Sequence, residues 1–487
     1  MSSFCVILTL RYKHNPDPWQ MAVSLTTQTL YAELVDRCAV AAFEAEFPLN
    51  GSFVRVRVKD RDYWYFQQGA RDASGKQPRK YVGPDTNEVR QRMADHGRAK
   101  DDYQERRRLI SLLRRSGFHS PPEETGRILQ VLSDAGIFRM RACLVGTAAY
   151  QVYGPMLGVR LPRTSLQTQD LDIAQFTAIS VAIGKDEQTP PLLEVLQRAD
   201  PSFRSVPHIR KAEATVAYRN AKGFRVEVLT ENRGPERETP AALPAISTHA
   251  QPLRFMDFLI HEEIRAAVLY DAGILVNVPS PERFALHKLI VAQRRRANPA
   301  KIKKDIEQAE ALLGALATHK AVALREVWDE AFNRGPKWQS HLAIGLGMIE
   351  TRVRDHVLYI VGAVRSIIPG VDLHFADAPP RYDFDRHVIT FAAEDNKGER
   401  VICAISREAL HDHFGTGKTN DERIEIFRRH RQEIERMARE IYLHRPLSPD
   451  GTLLIKTADV PALGKGSAPR AKKEARKTQS RRKPVRR

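Results

Sequence analysis

The chain has 487 residues, more than one ordinary hydrophobic core accommodates, so two to four domains are expected. Hydrophobic residues make up 42% of it, which suits globular folding, and no apolar run approaches the length that spans a bilayer. The net charge of +18 is uneven: eleven Lys or Arg against the single Glu474 lie between Gly464 and Arg487, which puts about ten of the charges in that tail and leaves the body modestly basic.

The longest apolar run near the start, Phe4 to Leu10, lacks the basic region and small-residue cleavage site of a signal peptide. Cys5, Cys38, Cys143 and Cys403 are scattered with no metal-ligand or disulfide spacing, so a reducing cytoplasm is the expected compartment. Residues 1–20 read as a disordered extension, with Met21 beside Met1 as a candidate start. Residues 21–140 read as a helical region with a β-hairpin. A helical stripe runs from Leu25 to Phe47 through Leu30, Leu34, Cys38 and Phe43, with Thr26 or Thr27 as its cap. Phe53 to Lys59 alternates apolar and basic residues, turns near Asp60 to Asp62 and returns through Tyr63-Trp64-Tyr65-Phe66; Gly75 to Gly83 reads as a further strand. Interleaved basic and aromatic residues there suit nucleic acid or a nucleotide base, or equally a sheet with one solvated basic face. Thr86 to Ser116 is a long charged helix or helix pair, and Pro121-Pro122 opens another helix that stops at Gly136.

Arg141 to Val145 is predicted as a strand and Ala148 to Met156 as a helix, joined by the turn Gly146-Thr147. Asp170-Leu171-Asp172-Ile173 has the alternation of a strand, so Asp170 and Asp172 point the same way. Ala212 to Tyr218 and Phe224 to Leu229 read as a hairpin carrying Glu227. Three carboxylates on one face repel and resist desolvation unless a cation sits among them, and Mg²⁺, with Mn²⁺ as the alternative, takes carboxylate oxygens together with substrate phosphates. Alternatively, Asp170 lies on a solvated strand edge and Glu227 in an unrelated hairpin. The order Gly-Thr, Asp-x-Asp, then a lone Glu resembles the nucleotidyltransferase superfamily related to DNA polymerase beta, over roughly residues 141–315. It looks closest to an uncharacterised bacterial nucleotidyltransferase-like branch and more distantly similar to nucleotidyltransferase-type toxins of abortive-infection systems. Thr147 stands where the family usually has Ser. The gap from Gly146 to Asp170 is long, and an extra loop carrying Pro155, Gly158 and Pro162 is expected to fill it.

The resemblance implies an α/β (α+β) fold, a mixed nucleotidyltransferase sheet with flanking helices over 141–240. A helical nucleotide-side region is expected over 241–335. There His287-Lys288-Leu289 and the downstream Lys304-Asp305 match a pattern of similar proteins in which this helix packs beside the active site. Lys288 and Arg294 then become nucleotide-binding candidates, set against the ordinary fate of a helical Lys that snorkels to solvent. Residues 336–370 read as a helical connector ending at Pro369-Gly370. Residues 371–445 resemble a small bacterial α/β domain of unknown function, with strands at Leu373, His387 and Arg400 and helices from Glu408. His411, Asp412 and His413 diverge around a helix and read as surface residues. Residues 446–487 read as a disordered basic tail with a salt-sensitive attraction to RNA or DNA.

These expectations combine into an Mg²⁺-dependent enzyme that moves a nucleoside monophosphate from an NTP, ATP among the candidates, onto a hydroxyl. Asp170 and Asp172 would bridge the metals, Glu227 would complete one site, and Gly146 with Thr147 would hold the β- and γ-phosphates. RNA, tRNA in the sharpest version, is the preferred acceptor because body and tail are both basic. The rival is a nucleic-acid-binding adaptor that keeps the fold without turnover. No membrane partner is expected.

Overall fold

The computed structural model describes residues 22–41, 49, 51–58, 61–68, 77, 79–162, 166, 168–184, 187–209, 211–295, 298–445, 447 and 451–460. Residues 1–20 and the basic stretch from 464 to 487 lie outside the described residues. Two compact units meet in the chain between Pro369 and Gly370.

In the larger unit, α1 (Leu25–Ala41) buries Tyr31, Leu34 and Cys38, one helical stripe. A three-stranded antiparallel sheet follows, β1 (Gly51–Val58), β2 (Arg61–Gln68) and β3 (Arg79–Pro84). Next comes α2 (Asn87–Arg115), whose N-terminus is capped by the Thr86 hydroxyl accepting from the Val89 amide. It packs on α1 through Leu109, Ile110 and Leu113. Arg37 on α1 pairs with Asp102 on α2 at 2.9 Å. After α3 (Glu123–Asp134) the central elements are β4 (Cys143–Val145), α4 (Gly146–Leu157) and β5 (Asp170–Ala174). Then follow α5 (Thr177–Ile183), α6 (Leu192–Ala199), β6 (Arg204–His208), β7 (Lys211–Arg219) and β8 (Arg225–Glu231).

The stretch expected to be purely helical after residue 240 instead carries four strands. β9 (Ala241–Leu243) and β10 (Thr248–Leu253) extend the central sheet. Beyond α7 (Met256–Leu259), β11 (Ile264–Val268) and β12 (Ile274–Val278) form a hairpin. The Tyr31 hydroxyl donates to the Ala267 carbonyl on β11 at 3.2 Å, so the N-terminal helices share a core with this hairpin. The central sheet has the order β4-β5-β8-β10-β9, with β7 also on β8. β5, β8 and β10 are parallel, whereas β4 and β9 run antiparallel to their neighbours. The helical layer is α8 (Pro281–Arg294), α9 (Pro299–His319), α10 (Ala321–Phe332), α11 (Pro336–Met348) and α12 (Thr351–Val361). The last two are part of the unit's packing and not a connector. A Cβ at Gly345 on α11 would lie 2.6 Å from the Cβ of Leu289, so the two helices approach closely.

The second unit is a small α/β domain: β13 (Leu373–Phe375), β14 (Arg381–Asp383), β15 (Val388–Asp395), β16 (Arg400–Ser406), α13 (Arg407–Phe414), α14 (Asn420–Arg429), α15 (Arg431–His444) and β17 (Thr452–Ile455). The β15–β16 hairpin turns through Asp395 to Gly398, where the Asp395 side chain accepts from the amides of Lys397 and Glu399. β17 pairs parallel with β16. The boundary expected at residue 445 is therefore too early. Leu453 and Ile455 are buried in the core of this domain, and the turn-rich stretch Pro446 to Gly451 had hidden that short apolar strand.

Candidate active site

Alternation on β5 buries Leu171 and Ile173 on one face and leaves Asp170 and Asp172 half-buried on the other. On β8, Val226 and Val228 are buried in the same way. The parallel register pairs Asp170 with Arg225 and Asp172 with Glu227. All three carboxylates therefore share one face, on neighbouring strands about 4.8 Å apart.

Gly146 closes one side of this face. It has φ +65°, and a Cβ there would lie 2.2 Å from Oδ2 of Asp172, so both the backbone turn and the carboxylate need glycine. The turn starts α4, a helix with no side-chain cap, whose first amides are left facing outward beside the acids. Pro155 and Gly158, expected in an extra loop, belong instead to this helix: Pro155 is in its last turn and Gly158 is its left-handed C-cap.

From the other side comes α9, opened by the Asn298 cap and Pro299. Lys301, Lys304, Asp305 and Gln308 have the spacing of one helical face. Lys301 Nζ lies 3.6 Å from Asp170 Oδ2, and the Gln308 amide donates to the Thr147 hydroxyl at 3.4 Å.

The electrostatics divide the two aspartates. Burial, then the charge of Asp170, then that of Glu227 push the Asp172 carboxyl up to about 7, against weaker pulls from Lys288 and Lys301. Burial also pushes Asp170 upward, but the Thr168 hydroxyl bonded to it, with Lys301 and Lys304, holds it below its ordinary value. The Glu227 side chain turns to Arg225, 2.7 Å away on its own strand.

The strands thus bring the three acids to one face while the side chains stay apart. Among the described residues no group of three or more His, Cys, Asp or Glu side chains is drawn together to hold a metal ion. The expected ligand set requires correction on this point, and the cause is physical: without a cation among them, like charges relax toward Lys301 and Arg225. The residues nevertheless fit a hard divalent ion. The donors are all carboxylate oxygens, a Cβ would fill the cradle at Gly146, and Asp172 is held close to neutrality by the negative charge around it.

Lys288 does not open onto the phosphates. It is 6% exposed and pairs with the equally buried Asp305 at 2.6 Å, with Arg295 on the other carboxylate oxygen at 2.5 Å. His287 beside it is a neutral ring, pushed down to about 3 by burial and the charge of Lys288. Arg294 turns to Glu236 at 3.1 Å and lies over the Phe255 ring. Lys301, Thr168 and Arg225 were missed in the sequence, where only Lys301, in the first turn after an Asn-Pro cap, left a local signal. In the second unit, His411 pairs with Asp412 in the open, as a surface residue does.

Comparison with known families agrees with this geometry. Residues 123–333 match the family model described as Nucleotidyltransferase. The nucleotidyltransferase match runs from α3 to the end of α10, wider than the 141–315 expected from the motif. Residues 373–455 match a model described as protein of unknown function (DUF1488), which includes β17. The two-part architecture, a nucleotidyltransferase domain followed by a small α/β domain, thus rests on both fold and family. No curated protein and no solved structure matches the chain. Among the described residues no helix is long and apolar enough to cross a membrane.

Proposed function

We propose that the larger unit transfers a nucleoside monophosphate from an NTP to a hydroxyl, with a divalent metal held by Asp170, Asp172 and Glu227, and with RNA, tRNA in its sharpest form, as the acceptor. The observation that carries this reading is Asp172, an acid raised to about 7 between two other carboxylates at the mouth of the Gly146-Thr147 turn. A fold does not maintain such a group for packing, because an Asn or Thr there would cost less. A bound Mg²⁺ would supply Lewis-acid activation of the attacking hydroxyl and charge neutralisation at the leaving pyrophosphate.

The protein's own groups have separable tasks. The amides that open α4, with the Thr147 hydroxyl held by Gln308, orient the phosphates. Lys301 and Lys304 bring positive charge to the same side. Glu227 exchanges its Arg225 pair for the metal, and the released guanidinium becomes available to a substrate phosphate. The basic charge of the chain supports a polyanionic acceptor over a small molecule.

One observation favours a second reading: the Glu227–Arg225 pair leaves only two acids facing the turn, which suits a domain that binds nucleotide or RNA without turnover. Both readings meet in one experiment. The protein is incubated with each labelled NTP and total RNA, with Mg²⁺ or with EDTA. Metal-dependent label transfer that disappears in Asp170→Ala and Asp172→Ala supports the enzyme; RNA binding without transfer in the wild type sinks it.

A further inference from the structure

Away from the carboxylate face, a cavity of about 610 Å³ opens where the C-terminal ends of α2 and α4 come together. Arg114 and Arg115 from the last turn of α2, and Arg160 just beyond α4, line it and are exposed. Arg160 is held close to the backbone, since a Cβ at Gly117 would lie 3.3 Å from its Nε. Ion pairs are frequent in this chain, yet none of these three guanidinium groups has a carboxylate partner among the described residues. Two helix C-termini account for part of that charge: each carries roughly half a negative charge, so together they offset about one of the three positive ones. About two positive charges stay unbalanced.

The rest of the lining is of another kind. Phe118 and Leu161 give the cavity an apolar side. His119 also lines it, and its Nε2 is enclosed with no hydrogen-bond partner among the described residues. An apolar wall, a polar ring and a doubly positive rim fit one chemical class, a nucleotide unit whose base lies on the wall and whose phosphate meets the arginines. An adjoining cavity of about 740 Å³ shares Arg114 but carries Glu123 and Asp271, so the anion belongs at the Arg115 and Arg160 end. Gly146 and Gly154 lie at opposite ends of the α4 stretch that separates this cavity from the carboxylates, roughly 12 Å at 1.5 Å per residue. The two sites are therefore distinct.

We infer that the Arg114, Arg115 and Arg160 cavity is a second nucleotide site, for the phosphate and base of one nucleotide unit. Such a unit comes either free or as one residue of an RNA strand. The test uses the full chain and the variant Arg114→Gln/Arg115→Gln/Arg160→Gln, whose changes are all at exposed positions and whose unfolding midpoint is checked first.

AMP binding is followed by calorimetry in the presence of EDTA, and a fluorescent 12-nucleotide single-stranded RNA by anisotropy from 50 to 300 mM salt. Asp172→Asn is measured in parallel to mark the carboxylate face. Free nucleotide as the ligand predicts AMP affinity down at least ten-fold in the triple variant and unchanged in Asp172→Asn. An RNA strand predicts weaker RNA binding in the triple variant and a salt slope shallower by about two, at 0.7 per lost phosphate contact. The basic tail is present in both proteins and cancels in that difference. Unchanged affinity for both probes in a folded triple variant overturns the inference. Failure of label transfer alone bears only on the carboxylate site.

Discussion

Replacing Asp172 by Asn should make the larger unit more stable above neutral pH. Its carboxyl is raised from 3.8 to about 7 in the folded chain. Below about pH 4 the acid is protonated in both states and contributes nothing. Between pH 4 and 7 the unfolded chain releases the proton while the folded one keeps it, so stability falls as pH rises, and above 7 the whole penalty is present. A shift of roughly three units corresponds to a ceiling of about 4 kcal/mol at 1.36 kcal/mol per unit. Asp172 keeps some contact with solvent, which screens the neighbouring carboxylates, so about half of the ceiling is expected. Urea unfolding followed by tryptophan fluorescence reads the right unit, because Trp64, Trp328 and Trp338 all lie in it. Between pH 5 and pH 8, in EDTA, the wild type should lose about 1 to 3 kcal/mol more than Asp172→Asn. Millimolar Mg²⁺ should return most of that difference to the wild type and none to the variant. Equal losses in the two proteins would show that Asp172 is an ordinary solvated acid, and the electrostatic argument for the site would fail.

Lys288→Met should destabilise the unit by about 3 to 5 kcal/mol, because it leaves Asp305 buried with Arg295 alone, and adding Asp305→Leu should recover most of the loss. Urea midpoints at pH 7 check this, and a single-variant cost under about 1 kcal/mol contradicts a buried pair. Gly146→Ala must place a Cβ against the Asp172 carboxylate at a positive φ, which costs roughly 1 to 3 kcal/mol. Label transfer should fall more than ten-fold in that variant; wild-type transfer would mean the turn does not abut the reacting groups. Lys301→Gln removes an exposed cation 3.6 Å from Asp170, so stability should move by less than about 1 kcal/mol while the KM for NTP rises several-fold. An unchanged KM would take Lys301 out of the phosphate site.

What could be read from the sequence was local. The alternation in Asp170-Leu171-Asp172-Ile173 and Arg225-Val226-Glu227-Val228 gives the faces of β5 and β8, and Gly146-Thr147 gives the turn, because period and φ are properties of a few adjacent residues. Their register, Asp172 opposite Glu227, is not local: more than fifty residues and four elements separate the strands. The partners that decide each acid's charge state are equally remote. Lys301 reaches Asp170 from α9, and nothing near Asp170 announces it. Strands β9 to β12 were read as helical territory because each is three to six residues long, with too few alternations to oppose the long apolar periods of α8 and α9. Lys288 was weighed as a phosphate ligand or a snorkelling surface residue and is neither. The clue lay in its neighbours, since a lysine between Leu286 and Leu289 on a buried stripe requires a buried counter-ion.

The same separation explains why the acids stand apart. Asp170, Asp172 and Glu227 face Arg225, Lys301 and Lys304, three negative groups against three positive ones, so the unliganded face is close to balanced and each acid relaxes toward its own cation. A divalent ion alone would leave that face with excess positive charge, and a triphosphate alone would add about four negative charges. Two divalent ions and a triphosphate entering together add almost none. The balance therefore favours joint entry: the metal charge allows Asp172 to ionise and Glu227 to leave Arg225, while the phosphates take up the lysines and the freed arginine. A convergent carboxylate set is on this view a property of the liganded site, and its absence among the described residues follows from the same charges that make the site suited to a metal–nucleotide complex.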